Sequence, residues 1–331
     1  MAQLEDKVVH SVQQQVLQLS TYLNSRILGQ TGLISRLLIA LLADGHLLVE
    51  GAPGLAKTRA VKELSDGVEG AFHRIQFTPD LLPGDLTGTD VYHPQNGSFV
   101  FQQGPLFHHL ILADEINRAP AKVQSALLEA MAERQVTVGG TTYPLPELFL
   151  VMATQNPIEQ EGTYPLPEAQ LDRFLMYVKI DYPEAKIEHD ILALARREAL
   201  GVPDANKTQM APLAQKTLFE ARQQVLQVHT SDALEHYLVQ LVVATRNPGT
   251  YSEELGRWLR FGASPRATIA LDRCSKAHAW LAGRDYVIPD DIHAIAHDVL
   301  RHRILLSFEA EAEGINSDDF IDSLLRLVAV P

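Results

Sequence analysis

The stretch His46-Leu-Leu-Val-Glu50-Gly51-Ala-Pro-Gly54-Leu-Ala-Lys57-Thr58 decides how this chain is read. Its first five residues are a short apolar run that reads as a buried strand. Gly51-Ala-Pro-Gly54 is a turn, and helical spacing resumes from Lys57 to about Asp66. A glycine-rich turn between a strand and a helix is the setting a phosphate-binding loop requires. Backbone N–H groups at such a turn point at phosphate oxygens, and the helix dipole favours an anion there. The candidate nucleotide-binding residues are therefore Gly51, Ala52, Pro53, Gly54, Leu55, Ala56, Lys57, Thr58 and Arg59. Lys57 supplies a mobile positive charge to the outer phosphates, and the Thr58 hydroxyl is a candidate Mg²⁺ ligand. Ala56 stands where the strict pattern has glycine. That is tolerable if Ala56 has already entered the helical region of backbone space.

Upstream, Leu4, Val8, Val12, Val16, Leu19 and Leu23 recur at helical spacing, and a second helix is expected from Thr31 to Ala43. Downstream, apolar runs recur at 72–77, 110–113, 148–154 and 175–180, with a helix expected over 121–132. Short apolar strands alternating with helices predict an α/β fold, a parallel sheet covered on both faces. Two stretches interrupt it. Residues 80–103 are expected to hold a hairpin turning at Asn96-Gly97, and residues 135–143 a second hairpin around Gly139-Gly140. Beyond Pro183 the pattern becomes helical: 184–200, 215–228, 231–245, 264–281, 289–300 and 317–328. This places a domain boundary near Tyr182, with an α/β core over 1–182 and an all-helical domain over 183–331.

Two more strand ends carry chemistry. Leu110-Ile-Leu-Ala-Asp114-Glu115 delivers two carboxylates to the sheet's carboxyl edge, where ligands bind in such folds. Asp114 is expected to hold Mg²⁺ and Glu115 to polarise the attacking water. Alone, such a pair reads equally well as solvated acids at a strand end; about 60 residues after a phosphate loop it reads as catalytic. Val151-Met-Ala-Thr-Gln-Asn156-Pro places Asn156 at another strand end, where it could bond the terminal phosphate or the water. By itself it would read as a turn-forming Asn before Pro.

The order of phosphate loop, Asp-Glu strand, Asn strand and helical domain resembles the AAA+ ATPases. Asp114-Glu-Ile-Asn-Arg-Ala-Pro120 and Gly162-Thr-Tyr-Pro-Leu-Pro-Glu-Ala-Gln-Leu-Asp-Arg-Phe174 are similar to the MoxR branch in particular, in which Ala before the loop lysine is usual. The resemblance runs from about Ile27 to Ile304. It implies a P-loop AAA+ core followed by an all-α lid, and Mg²⁺-dependent ATP hydrolysis. It implies that Arg173 is the arginine finger acting on the neighbouring subunit's phosphate, and that Arg266, in Ser264-Pro265-Arg266, is the second sensor. It places Gln30 in the adenine-side loop and implies a hexameric ring. It further implies a chaperone-like role toward a client with a metal-binding von Willebrand A-type domain, in maturation or metal insertion.

Composition narrows the alternatives. The 331 residues carry a formal net charge of −13, which argues against a nucleic-acid backbone or anionic lipid as partner. Mean hydropathy is −0.04 and Cys274 is the single cysteine, so a soluble protein of a reducing, cytoplasmic compartment is expected. The start lacks the basic-then-apolar pattern of a signal peptide. The apolar stretch 33–49 is broken by Arg36, Asp44 and His46 and reads as no membrane span. His293 and His297 have a metal-compatible spacing but no evident third ligand. Cys274 reads as core, and Glu309 to Glu313 as a solvated face or linker. Three classes compete: a protein-remodelling ATPase, a nucleic-acid motor of similar fold, and a nucleotide-dependent scaffold with little turnover. The charge disfavours the second. The set Glu115, Asn156 and Arg173 disfavours the third.

Overall fold

The computed structural model describes residues 2–95, 97–158, 162–200 and 210–330, with Asn96 of the first expected turn outside them. The described residues pack as two compact units. One is drawn from 1–38, 46–166 and 178–219, the other from 39–45, 167–177 and 220–331.

The chain opens with helices α1 (Ala2–Arg26) and α2 (Thr31–Leu42), strand β1 (Leu47–Glu50), helix α3 (Lys57–Gly67) and strand β2 (Phe72–Gln76). A short helix α4 (Pro83–Thr87) leads into the hairpin of β3 (Gly88–His93) and β4 (Ser98–Gln103). Then come β5 (Leu110–Asp114), α5 (Ala121–Glu133), the hairpin of β6 (Gln135–Val138) and β7 (Thr141–Pro144), and β8 (Leu150–Gln155). After a short α6 (Glu168–Leu171) and strand β9 (Met176–Lys179) the chain enters α7 (Ala185–Ala199).

Five strands form one sheet in the order β2-β5-β8-β1-β9. β1 and β5 both pair parallel with β8, and β2 pairs parallel with β5. Every residue of β5 is buried, as are the first three of β1 and the first five of β8. Burial on both faces is why these strands are continuous apolar runs rather than alternating ones. Both inserts are antiparallel hairpins. The β6–β7 turn uses Gly139 at φ 58° and Gly140 at φ 84°, the left-handed pair that a tight primed turn demands. Phe101 of β4 stacks on Tyr143 of β7 with ring centroids 4.1 Å apart, so the two hairpins pack on each other.

The second unit is built from helices. It takes up α8 (Gln215–Leu226) from Glu220 onward, then α9 (Asp232–Ala244), α10 (Glu253–Trp258), α11 (Pro265–Leu281), α12 (Pro289–Leu300), α13 (Phe308–Ala312) and α14 (Ser317–Leu327). A small antiparallel ribbon of β10 (Leu259–Phe261) and β11 (Leu305–Leu306) joins them; its few residues gave no strand signal in the sequence. α11 presents Ala267, Ala270, Cys274 and Ala277 to the interior, a row of small residues that lets neighbouring helices approach. Glu309 to Glu313 is not a linker: most of it lies in α13, with Glu309 paired to Arg257 and Glu313 accepting from the Trp258 indole. His293 and His297 each have a protein partner, Tyr237 and Asp322, and no metal-binding cluster occurs among the described residues. No described helix is long and apolar enough to cross a membrane.

One buried charge holds the α11–α12 turn. The Asp291 carboxylate accepts from both Arg284 Nη atoms at 2.7 and 2.5 Å, lies 2.6 Å from His278 Nδ1, and accepts the Ile288 N–H at 2.8 Å. Burial alone would raise its pKa; the Arg284 bonds reverse that and hold it below the usual carboxylate value. Removing one member of such a pair strands the others. Asp291→Ala should therefore lower unfolding free energy by about 3 kcal/mol, measured by urea titration. A loss under about 0.5 kcal/mol would show that the turn does not depend on it.

Candidate nucleotide-binding site

The parallel register brings the predicted loops to one edge. Glu50 is level with Gln155, Ala113 with Ala153, and Gln76 with Asp114. Gly51 therefore leaves β1 beside Gln155, donating its N–H to the Gln155 carbonyl at 3.3 Å. A side chain at Gly51 would collide with Ile180, whose Cγ1 lies 2.3 Å from the Cβ position. Gly54 has φ 86°, so glycine is needed there for the turn itself.

Ala56 departs from expectation. It has not entered the right-handed helical region; it caps α3 at φ 58°, ψ 18°, in the left-handed one. A left-handed alanine is strained by roughly 1 kcal/mol, which explains why the strict pattern puts glycine here. Glu115 is left-handed too, at φ 57°, ψ 52°. Among the described residues the other non-glycine cases are Asp44 and Arg134. Strain of this kind persists where surrounding structure fixes the backbone, and it gathers at functional sites.

The charges interlock. Lys57 Nζ donates to the Gly51 carbonyl at 2.5 Å and lies 3.4 Å from that of Gln155. Burial lowers its pKa, against the opposing pull of Asp114, Glu115 and Glu50. Asp114 is buried; it accepts from the Thr154 hydroxyl at 2.7 Å and from Arg74 Nη2 and Nε at 2.6 and 3.1 Å. The Glu115 N–H in turn donates to Thr154 Oγ1 at 2.9 Å, so one hydroxyl ties both acids to β8. The Glu115 carboxylate accepts from Gln76 Nε2 at 2.9 Å and pairs with Arg118 Nε at 3.0 Å. Asn156 is buried, and its Oδ1 accepts the Ile158 N–H at 3.1 Å, making the turn expected before Pro157. Gln124, fully buried on α5, donates to the carbonyls of Ile116, Ala119 and Tyr164, and so fixes the loop after Glu115.

Beside the turn lies a cavity of about 110 Å³, lined by Ile27, Gln30, Gly54, Leu55 and Arg59 and by Ile191, Leu194 and Ala195 of α7. Gln30 is buried there. Its mostly apolar lining suits the flat face of a nucleotide base. The loop N–H groups and Lys57 are donors suited to phosphate oxygens, and the Thr58 hydroxyl and Asp114 carboxylate are hard oxygen groups of the kind Mg²⁺ takes.

Arg173 and Arg266 belong to the second unit. The Arg173 side chain is partly exposed and makes no ion pair or hydrogen bond among the described residues. Arg266 is exposed, with Nη1 4.0 Å from Asp172. Sequence reading did not find Arg74, Gln76 or Thr154, because their roles exist only through the β2-β5-β8 register. Arg74 and Gln76, two apart on the same side of a short strand, were the available signal. The α7 face was legible as a helix but not as a pocket wall.

Comparison with known proteins agrees with this arrangement. Residues 46–176 match the model of the ATPase family associated with various cellular activities (AAA), and residues 257–324 match the AAA lid domain. The chain is 46% identical to Chaperone MoxR1 of Mycobacterium tuberculosis over 310 residues, 92% of this chain and 79% of that one. It is 33% identical to Protein MoxR of Paracoccus denitrificans, covering 93% of this chain and 94% of that one. The crystal structure of a candidate ATPase from Cytophaga hutchinsonii superposes with a TM-score of 0.91 at 45% identity, over 100% of this chain and 99% of that one. With its P-loop core, its Asp-Glu and Asn strand ends and its helical lid, this chain belongs to the MoxR family of AAA+ ATPases.

Proposed function

We propose that the chain binds ATP with Mg²⁺ at the loop 51–58 and hydrolyses it to remodel partner proteins. The observation that carries this is the meeting of Lys57, Asp114 and Glu115 at one sheet edge, with the Thr154 hydroxyl donating to the Asp114 carboxylate and accepting the Glu115 backbone N–H. Loop amides and Lys57 hold the phosphates, Gln30 and the α7 face hold the base, and Thr58 and Asp114 hold the metal. Bound Mg²⁺ supplies charge neutralisation on the outer phosphates. Glu115 takes the proton of the attacking water at its carboxylate, once its contacts with Gln76 and Arg118 give way. Asn156 orients that water. Arg173 acts on a neighbouring subunit's phosphate, in keeping with a guanidinium that finds no partner among the described residues, and a trans arginine makes a hexameric ring the working form. Arg266 reads the nucleotide from its own lid. Residues 1–182 serve as the nucleotide core and 183–331 as the lid that hydrolysis moves.

The work is chaperone-like, in keeping with the name of the Mycobacterium tuberculosis relative. By family resemblance the client carries a von Willebrand A-type domain, and the outcome is maturation or metal insertion. The acidic charge favours a protein client over nucleic acid, and the site acts in the cytoplasm.

Lys57→Ala should weaken ATP binding by about 10- to 100-fold, since it deletes one charge-assisted phosphate contact. Isothermal titration with an ATP analogue reads this directly, and unchanged affinity would sink the phosphate-loop assignment. Arg173→Ala should keep affinity and lose turnover by about 1,000-fold. Mixing Arg173→Ala with Glu115→Gln subunits should recover part of the activity, because some interfaces then receive both groups. Mixed rings as silent as either parent would count against the trans role.

A further inference from the structure

Residues 167–177, which carry Arg173, pack in the same compact unit as residues 220–331, which carry Arg266. One carboxylate makes the join. Asp172 Oδ2 accepts from Ser264 Oγ at 2.8 Å, and Ser264 Oγ accepts the Arg266 backbone N–H at 3.2 Å, at the start of α11. Asp172 Oδ1 accepts from Arg303 Nε at 2.8 Å. The Arg303 side chain is only 2% exposed and donates also to the carbonyls of Phe174, Leu175 and Val299. Burial pulls its pKa down, and Asp172 is the charge that opposes this. Phe174, next along the chain, is fully buried. The backbone at Arg173 is thus pinned on both sides, while its guanidinium has no ion pair or hydrogen bond among the described residues.

A buried ion pair of this kind adds little net stability, because desolvating both charges offsets their attraction. What it supplies is registry: a fixed spacing between two segments. Here the segments are the one bearing Arg173 and the one bearing Arg266. We propose that Asp172 is a positioning residue that couples these two arginines, so that they shift as one body. The proposal rests on the reading above, in which Arg266 senses its own subunit's nucleotide and Arg173 serves the neighbour's. Under it, the nucleotide engaged by Arg266 sets where Arg173 stands, and occupancy of one site changes hydrolysis at the next.

The test is ATP turnover against ATP concentration for the full chain as wild type, Asp172→Asn, Ser264→Ala and Ser264→Thr, with Tm recorded for each. Asp172→Asn and Ser264→Ala should lose about 10- to 100-fold in turnover at saturating ATP, the scale of a misplaced catalytic group. Their Hill coefficients should fall to about 1 while affinity for a non-hydrolysable analogue stays within about 3-fold. Ser264→Thr, which keeps the hydroxyl, should behave as wild type. If Asp172→Asn fails to fold, the Ser264 pair carries the test, since it alters one side chain at a helix start. A drop in Tm with turnover and Hill coefficient unchanged would make the cluster a structural ion pair and overturn the proposal. So would equal loss in Ser264→Ala and Ser264→Thr, or a wild-type Hill coefficient of about 1. Full turnover in Arg173→Ala would instead overturn the trans-finger reading beneath it, a distinct outcome.

Discussion

Everything at this site depends on the parallel register of β1, β5 and β8. Parallel strands all end at the same edge of a sheet. Pairing Glu50 with Gln155 and Ala113 with Ala153 leaves Gly51, Asp114 and Asn156 side by side, although about 100 residues separate the first from the last. A slip of one residue would move the polar ends out of line with one another and turn each side chain into packing shaped for its neighbour. The near-complete burial of these strands prevents that slip, so the hydrophobic core sets the geometry of the chemistry.

Strain and charge are concentrated where that edge meets the turns. Ala56 and Glu115 both sit in left-handed backbone, and each begins a helical segment that follows a core strand. The acids are not idle. Asp114 is neutralised by Arg74, and Glu115 is held by Gln76 and Arg118. Two of these three residues stand on β2, two positions apart and on the same side of the strand. Asp114 is the buried member, so its carboxylate would be the costly one to leave uncompensated.

Much of this was legible in the sequence, for physical reasons. Strand-turn-helix around Gly51, apolar runs at β5 and β8, and amphipathic spacing in α7, α9, α11 and α12 are local signals, and local signals survive without an alignment. The Gly139-Gly140 hairpin was legible because left-handed turn geometry selects glycine. The backbone of Ala56 was not, since a residue's φ is invisible when its side chain is tolerated in either region. Thr154 gave no signal, and Arg74 only its spacing from Gln76, because their function lies in cross-strand pairing. Arg303 reads as one more lid arginine until the fold carries it to Asp172, 131 residues earlier in the chain. The short elements α10, α13, β10 and β11 are held by tertiary contacts and have little periodicity of their own.

The central claim is that the Glu115 carboxylate drives hydrolysis at a site assembled by the phosphate loop. The most direct test measures ATP turnover of wild type and Glu115→Gln while reading oligomer mass with and without ATP. Wild type should turn ATP over, Glu115→Gln should lose that turnover, and an ATP-bound ring should persist in the variant. Undiminished turnover in Glu115→Gln, or tight ATP binding without turnover in the wild type, would contradict the claim.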